Sequence, residues 1–132
     1  MYQQHFSFSE FPFSLTPDTQ FFHESKWHRE AGTILDICVK QGEGFIKIVG
    51  EVGTGKTLLC RRLLNSLPEN YSAVYIPNPF LSPEGLFQAI AHELGIELGN
   101  INPHVVLKAI EDELIQLAIL GQKVLLVVDE AQ

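Results

Sequence analysis

Residues 45–57 leave few choices for the fold of this chain. Five strand-forming residues, Phe45 to Val49, lead directly into the pattern Gly-x-x-x-x-Gly-Lys-Thr, which begins at Gly50 and ends at Thr57. Apolar residues then recur at helical spacing. The pattern therefore predicts a buried strand, a glycine-rich turn and a helix in succession, which is the context that a phosphate-binding loop requires.

The residue types of this loop suit the phosphates of a nucleotide. Its glycines permit backbone conformations that a Cβ disfavours, so that successive N–H groups point into one concavity, and the helix start adds partial positive charge there. Lys56 supplies a full charge for the β- and γ-phosphates, and the Thr57 hydroxyl is a ligand for Mg²⁺. We therefore predict binding of ATP or ADP with Mg²⁺. The predicted nucleotide-binding residues of the loop are Gly50, Glu51, Val52, Gly53, Thr54, Gly55, Lys56, Thr57 and Leu58.

Composition narrows the class of protein further. The 132 residues allow one domain at most, and an apolar content of 45% is enough for a core. The net charge of −7 offers no general attraction for nucleic acid or anionic lipid. Cys38 and Cys60 lie in predicted helices and lack the spacing of a zinc or disulfide pair. With neither a membrane span nor a signal peptide, the chain is predicted to be cytoplasmic.

Phenylalanine is concentrated in residues 1–22, where two prolines interrupt it. The prolines favour an extended segment that its rings anchor to the domain, and the alternation from Phe6 to Phe8 also fits a short strand. Plain anchoring is the favoured interpretation for most of these rings. Because the loop offers nothing to adenine, one or two residues near 20–23 are predicted to line a pocket for the base instead, and Phe22 and His23 are the candidates. The chain is accordingly divided into an aromatic segment, 1–22, packed on the domain, and a domain that occupies 23–132.

A helix is predicted over residues 26–40, with Ser25 as its N-cap. His28 and Arg29 in its first turn are interpreted as surface groups or as groups near the nucleotide. His23 and His28 are five residues apart and do not share a helix face, which disfavours a metal pair. The predicted apolar stripe consists of Trp27, Ala31, Ile34, Leu35 and Cys38.

Three more elements follow the loop helix. They are a strand over 72–76, a helix from Ser82-Pro83 to about Leu94, and a helix from Asn102-Pro103 to about Leu120. The acidic run Glu111 to Glu113 lies on the last helix. It is interpreted as a solvated face, and the alternative is a metal or partner site.

Residues 124–128 are apolar on both faces, as a strand inside a covered parallel sheet must be. They lead into Asp129 and Glu130, at the sheet edge where α/β folds bind their ligands. Downstream of a phosphate-binding loop this arrangement predicts a Walker B element, with a solvated acidic turn as the alternative. Asp129 would orient Mg²⁺ together with Thr57, and Glu130 would act with Lys56 in catalysis, as the general base for the attacking water.

The two motifs together resemble those of AAA+ ATPases of the additional-strand class, and the opening resembles the general secretion pathway protein A (ExeA/GspA) family. That family includes the MSHA pilus biogenesis ATPase MshM. The segments that carry the resemblance are Met1-Tyr2, His5-Phe6, Pro12 to Asp18, His28 to Ala31, Gly42 to Phe45, Gly50 to Thr57 and Asp129 to Gln132.

The resemblance implies an α/β P-loop NTPase with a parallel sheet and flanking helices. It implies a bacterial ATPase that supports assembly of a type II secretion or type IV pilus system, that self-associates, and that is cytoplasmic or associated with the inner membrane. AAA+ domains continue past the Walker B strand with a sensor strand, an arginine finger and a helical lid. The chain is therefore expected to be an incomplete N-terminal piece, truncated after that strand, with unpaired strand edges and inefficient hydrolysis on its own.

Two other functions remain open from the sequence. A transposition or DNA-remodelling helper shares the DEAQ-like Walker B ending, but the acidic charge disfavours it. A nucleotide-gated adaptor without turnover is the other, and Glu130 disfavours it, because binding alone needs no general base.

Overall fold

A computed structural model of the chain describes residues 2–9, 24–79, 81–97, 99 and 102–131. The chain divides into two compact units, Met1–Ser66 and Leu67–Gln132. The elements of the first unit are α1 (Tyr2–His5), α2 (Lys26–Gln41) and α3 (Lys56–Asn65). Those of the second are β1 (Tyr71–Ile76), α4 (Pro83–Glu93), α5 (Pro103–Ile119) and β2 (Lys123–Val128).

The two ends of α2 are those that its sequence predicts. The Ser25 side chain accepts a hydrogen bond from the backbone N–H of His28 and caps the helix start. At the other end Gly42 adopts φ +76°, and the N–H of Glu43 reaches back to the carbonyl of Cys38 at 3.0 Å. This is a Schellman ending, which the left-handed glycine makes possible.

The buried face of α2 differs from the predicted stripe. Trp27 is 76% exposed, and the buried residues are Gly32, Leu35 and Val39. The reason lies in the contact with α3: a Cβ on Gly32 would stand 3.5 Å from the Arg62 guanidinium, an ordinary van der Waals distance, so this side of α2 faces α3. Residues on one face of α3 complete the buried set, namely Leu59, Cys60 and Leu63.

Residues 45–50 do not form the predicted strand. They have no regular secondary structure and pair with no strand among the described residues, and Val49 is 79% exposed. A strand is stabilised by its ladder of hydrogen bonds, and within the described residues only β1 and β2 pair. The prediction of a strand before the loop is therefore wrong for this structure, whereas the helix after the loop is confirmed as α3.

The start of the chain forms the short helix α1, which was not predicted. Phe6 and Phe8 are exposed and stack on each other with ring centroids 5.7 Å apart. The alternative of a strand over these residues is wrong, because the chain turns at Ser7, where φ is +55°. The remaining phenylalanines of the aromatic segment lie outside the described residues.

In the second unit, β1 and β2 pair in parallel and in register, from Tyr71 opposite Lys123 to Ile76 opposite Val128. Helices α4 and α5 make the connection between them, as parallel strands require. The expected parallel sheet with flanking helices is present, and each strand has one unpaired edge among the described residues.

The core of the second unit lies between α4 and α5. Ala91, Val106 and Ile110 are buried, and partly buried residues pack against them: Phe87, Ile90, Leu94 and Ile96. Val106 is 2% exposed, and full burial of such a side chain is worth about 1.5–3 kcal/mol. Both helices begin at the predicted caps, where Ser82 Oγ accepts from the Gly85 N–H at 3.1 Å and Asn102 Oδ1 from the His104 N–H at 3.0 Å.

The prediction that β2 is covered on both faces is wrong in part. Leu126 is 47% exposed, and Val128, on the same side of the strand, is 37% exposed. On α5, Asp112 accepts a hydrogen bond from Lys108 at 2.6 Å, and this bond raises the pKa of Lys108.

No described helix has the length and apolar character needed to cross a membrane.

Candidate functional site

The glycine loop takes its shape from two left-handed glycines and one close contact. Gly53 and Gly55 have φ +80° and +82°, a region that residues with a Cβ rarely adopt. Gly50 is needed for a different reason, since a Cβ there would lie 2.9 Å from the Thr54 hydroxyl oxygen. That hydroxyl donates to the Glu51 carbonyl at 2.7 Å and closes the turn.

Lys56 turns back over the loop that precedes it. Its Nζ donates to the carbonyl of Gly50 at 2.8 Å and to that of Glu51 at 2.7 Å. The ammonium group therefore stands at the loop, where it neutralises the carbonyl dipoles. A lysine in this place presents its charge to any anion that the loop receives.

Helix α3 begins at the end of the loop with its positive pole uncovered by a side chain. Gly55 is its N-cap residue and provides no side-chain cap. The helix start is thus accessible to a ligand that brings its own acceptor oxygens, such as a phosphate group. Glycines, lysine and helix terminus together fit a nucleotide phosphate, and the half-buried Thr57 adds the hydroxyl that suits Mg²⁺.

The start of α2 contacts this loop, which sequence reasoning did not find. His28 Nε2 lies 2.8 Å from the Thr54 carbonyl oxygen, and His28 Nδ1 lies 2.7 Å from Ser25 Oγ. Glu24, just before the helix, forms an ion pair with Arg62 of α3. The sequence suggested only that His28 was at the surface or near a nucleotide, because a spacing of 26 residues carries no signal of contact.

In the second unit, Asp129 follows β2 as a buried carboxylate, 9% exposed. Its backbone N–H continues the ladder to the Ile76 carbonyl at 2.9 Å. Its Oδ2 accepts a hydrogen bond from the Tyr75 hydroxyl at 3.3 Å, and its Oδ1 accepts from the Glu130 N–H at 2.9 Å. Two donors thus hold a charge that would otherwise be costly to bury. The sequence analysis does not identify Tyr75 as a site residue. The signal that could have found it is the parallel pairing of the two apolar strands, which brings Tyr75 close to Asp129.

Glu130 is exposed and has φ +53°, a left-handed conformation that is uncommon outside glycine. Such a conformation costs roughly 1–2 kcal/mol per residue. A carboxylate in solvent at this place is accessible to water, which a general base requires.

The predicted site residues fall into separate groups. Lys56 and Thr57 belong to the first unit, and Asp129 and Glu130 belong to the second. Phe22 and His23, predicted to contact adenine, lie outside the described residues. Within the described part of the chain, no cluster of three or more histidine, cysteine or acidic side chains is arranged to hold a metal ion.

The parallel sheet with flanking helices and the glycine loop before α3 are features of P-loop NTPases. The AAA domain family matches residues 39–132, and the chain belongs to this family, whose fold is that of a P-loop NTPase. General secretion pathway protein A of Aeromonas hydrophila is 37% identical over 133 residues, a match that covers 100% of this chain and 24% of that protein. The resemblance to the general secretion pathway protein A family is thereby confirmed.

The chain spans about a quarter of the length of the curated relative that it matches. No solved structure gives a significant match to it.

Proposed function

We propose that this chain is the nucleotide-binding part of an ATPase that binds and hydrolyses ATP with Mg²⁺, within an AAA+ domain of the additional-strand class. The observation that carries the proposal is the conformation of residues 50–57. Two left-handed glycines and Lys56 Nζ, 2.7–2.8 Å from two loop carbonyls, form a cradle at the start of α3. The match to the AAA domain family supports it independently.

Each group of the loop has a role in this proposal. The backbone N–H groups from Glu51 to Leu58 donate to phosphate oxygens, because a helix start and a glycine loop both direct donors at one point. The Lys56 ammonium leaves the carbonyls of Gly50 and Glu51 for the β- and γ-phosphates, where it meets a full negative charge in place of two dipoles.

Thr57 and Asp129 are the proposed residues for Mg²⁺, since hydroxyl and carboxylate oxygens are the ligands that it prefers. When bound, Mg²⁺ neutralises charge that develops on the phosphates. The chain contributes orientation: the Tyr75 hydroxyl and the Glu130 N–H each donate a hydrogen bond to the Asp129 carboxylate. Glu130 accepts the proton of the attacking water as the general base, which its exposure permits.

The biological role follows from the relative. The name of General secretion pathway protein A supports a role for this chain in type II secretion. The alternative role is assembly of a type IV (MSHA-type) pilus, which rests on the family resemblance of the sequence. We propose that the ATPase self-associates and acts with secretion or pilus assembly proteins at the cytoplasmic face of the bacterial inner membrane. A pull-down of envelope proteins with the Glu130→Gln variant, loaded with ATP, tests these partners.

The experiment that tests nucleotide binding is calorimetric titration of MgATP into the chain and into Lys56→Ala. Removal of the ammonium should weaken binding at least tenfold, which is about 1.4 kcal/mol. The matched control is Lys47→Ala, which removes an exposed lysine upstream of the loop and should leave the dissociation constant unchanged. Equal affinity of the parent and Lys56→Ala would show that the loop is not the phosphate site.

A further inference from the structure

One side chain joins the first turn of α2 to the glycine loop. His28 Nε2 lies 2.8 Å from the carbonyl oxygen of Thr54, and both residues belong to the unit Met1–Ser66. The other ring nitrogen, Nδ1, lies 2.7 Å from the hydroxyl oxygen of Ser25. The imidazole therefore bridges the cap of α2 and the residue that stands directly before Gly55.

The partners determine which ring nitrogen carries the proton. A carbonyl oxygen only accepts, so at 2.8 Å the Nε2 of His28 is the donor to Thr54. The backbone N–H of His28 donates to Ser25 Oγ at 3.3 Å, and the Ser25 hydroxyl then donates to Nδ1. In this arrangement each contact pairs a donor with an acceptor. The neutral tautomer with the proton on Nδ1 would place two acceptors in contact at the Thr54 end.

This bond acts on the loop through the geometry of one peptide group. A peptide is planar and trans, so the carbonyl of Thr54 and the N–H of Gly55 point in opposite directions. Holding the carbonyl thereby fixes the direction of the next N–H. The constraint matters here because residue 55 is a glycine, the residue type with the most accessible backbone conformations, and it must be held at φ +82°.

The start of α2, which carries His28, is held in place by contacts with α3. Glu24 pairs with Arg62 of α3, and its other carboxylate oxygen lies 3.8 Å from Arg29 Nε. The Arg62 guanidinium also lies against Gly32, where a Cβ would be 3.5 Å away. The start of α2 is thus attached to α3 on one side, and His28 attaches it to the loop on the other.

We infer that His28 is a positioning residue for phosphate binding, which holds the Thr54–Gly55 peptide in the orientation that a phosphate in the loop requires. The inference rests on the proposed nucleotide-binding function. According to this inference, the first turn of α2 strengthens the binding of the ligand's phosphates. The sequence alone predicted only that His28 is a surface group or a neighbour of the nucleotide.

Binding of inorganic tripolyphosphate and of ATP to the chain and to His28→Leu tests the inference. Loss of one hydrogen bond should weaken both ligands by the same factor, about threefold to tenfold. His28→Gln retains an N–H donor near the position of Nε2 and should recover most of the affinity. Lys26→Ala, an exposed change in the same turn, is the control and should bind as the parent does. Unchanged affinity of His28→Leu, or a loss confined to ATP, would overturn the inference.

A second measurement needs no ligand. The ¹⁵N NMR shifts of the His28 ring in the chain alone should show a proton on Nε2, and a neutral ring with its proton on Nδ1 would contradict the bond to Thr54. The two proposals fail in different ways. A parent chain that binds neither ATP nor tripolyphosphate overturns the nucleotide function and the inference with it. A parent chain that binds both, with the proton on Nδ1 or no effect of His28→Leu, overturns the inference alone.

Discussion

The glycine loop at 50–55 and the acidic turn at 129–130 differ in the kind of polar group that they present: backbone groups in the loop and side-chain carboxylates in the turn. The loop is built from backbone: its glycines are exposed or half-buried, and its shape depends on two residues at φ near +80°. At the acidic turn the decisive group is a side chain, the buried carboxylate of Asp129, which Tyr75 and a backbone N–H hold in place. We conclude that the loop depends on which residues lack a Cβ, whereas the turn depends on a strand register that brings two side chains together.

The largest expected effect separates turnover from binding at the acidic turn. In a preparation that hydrolyses ATP, Glu130→Gln should lower kcat by about 100-fold or more, since the amide cannot accept a proton from water. The dissociation constant of ATP should stay within about twofold, which is about 0.4 kcal/mol. Glu111→Gln, an exposed change on α5, serves as the control. Hydrolysis by Glu130→Gln at the parent rate would place the base elsewhere.

At the loop a methyl group should matter only where the backbone is left-handed. Gly53→Ala must keep φ near +80° and should weaken ATP binding about fivefold to thirtyfold, because that conformation costs an alanine roughly 1–2 kcal/mol. Gly44→Ala is the matched control: neither position has an atom within 4 Å of the added Cβ, but Gly44 has no left-handed φ. Calorimetric titration of ATP into both variants measures the difference. Equal affinities of Gly53→Ala and Gly44→Ala for ATP would show that the left-handed loop conformation is not required for binding.

A smaller effect is expected at the predicted adenine contact. Phe22→Ala should raise the dissociation constant of ATP several-fold, since a ring contributes about 1 kcal/mol to stacking. Binding of inorganic tripolyphosphate should not change, because the phosphate contacts are retained. An equal loss for both ligands, or no loss for either, would mean that the aromatic segment only anchors to the domain.

The smallest effect concerns the support of Asp129. The hydrogen bond from Tyr75 is long, at 3.3 Å, so its coupling energy should be only about 0.5–1 kcal/mol. A double-mutant cycle of Tyr75→Phe and Asp129→Ala, followed by urea unfolding, measures it. Strictly additive free energies of unfolding would show that the two side chains do not interact.

The features that the sequence predicted correctly are local ones. The start of α2 at Ser25 and its end at Gly42, and the starts of α4 at Ser82 and of α5 at Asn102, depend on neighbours a few residues away. The glycine pattern is local in the same sense: the helix predicted after the loop is present as α3, although it begins at Lys56, earlier than the apolar run from Leu58 indicates. Capping and backbone conformation are decided within one turn of the chain.

The features that it missed depend on residues far along the chain. Residues 45–49 have strand-forming side chains but no partner strand in the part of the chain that the structure describes, and propensity cannot supply one. The buried face of α2, which includes Gly32, packs on α3, whereas periodicity alone included the exposed Trp27 in that face. Tyr75 meets Asp129 only through the parallel register of β1 and β2, and His28 meets Thr54 across 26 residues.

The central claim is that residues 50–58 bind the phosphates of ATP, and backbone NMR tests it most directly. Titration of MgATP into the ¹⁵N-labelled chain should shift the amide signals of Gly53 to Leu58 the most, because these N–H groups are among the proposed donors to the phosphates. The same titration of Lys56→Ala should need at least about tenfold more ligand to reach half of the shift. Amide shifts confined to other parts of the chain, or no shift at any concentration, would contradict the claim.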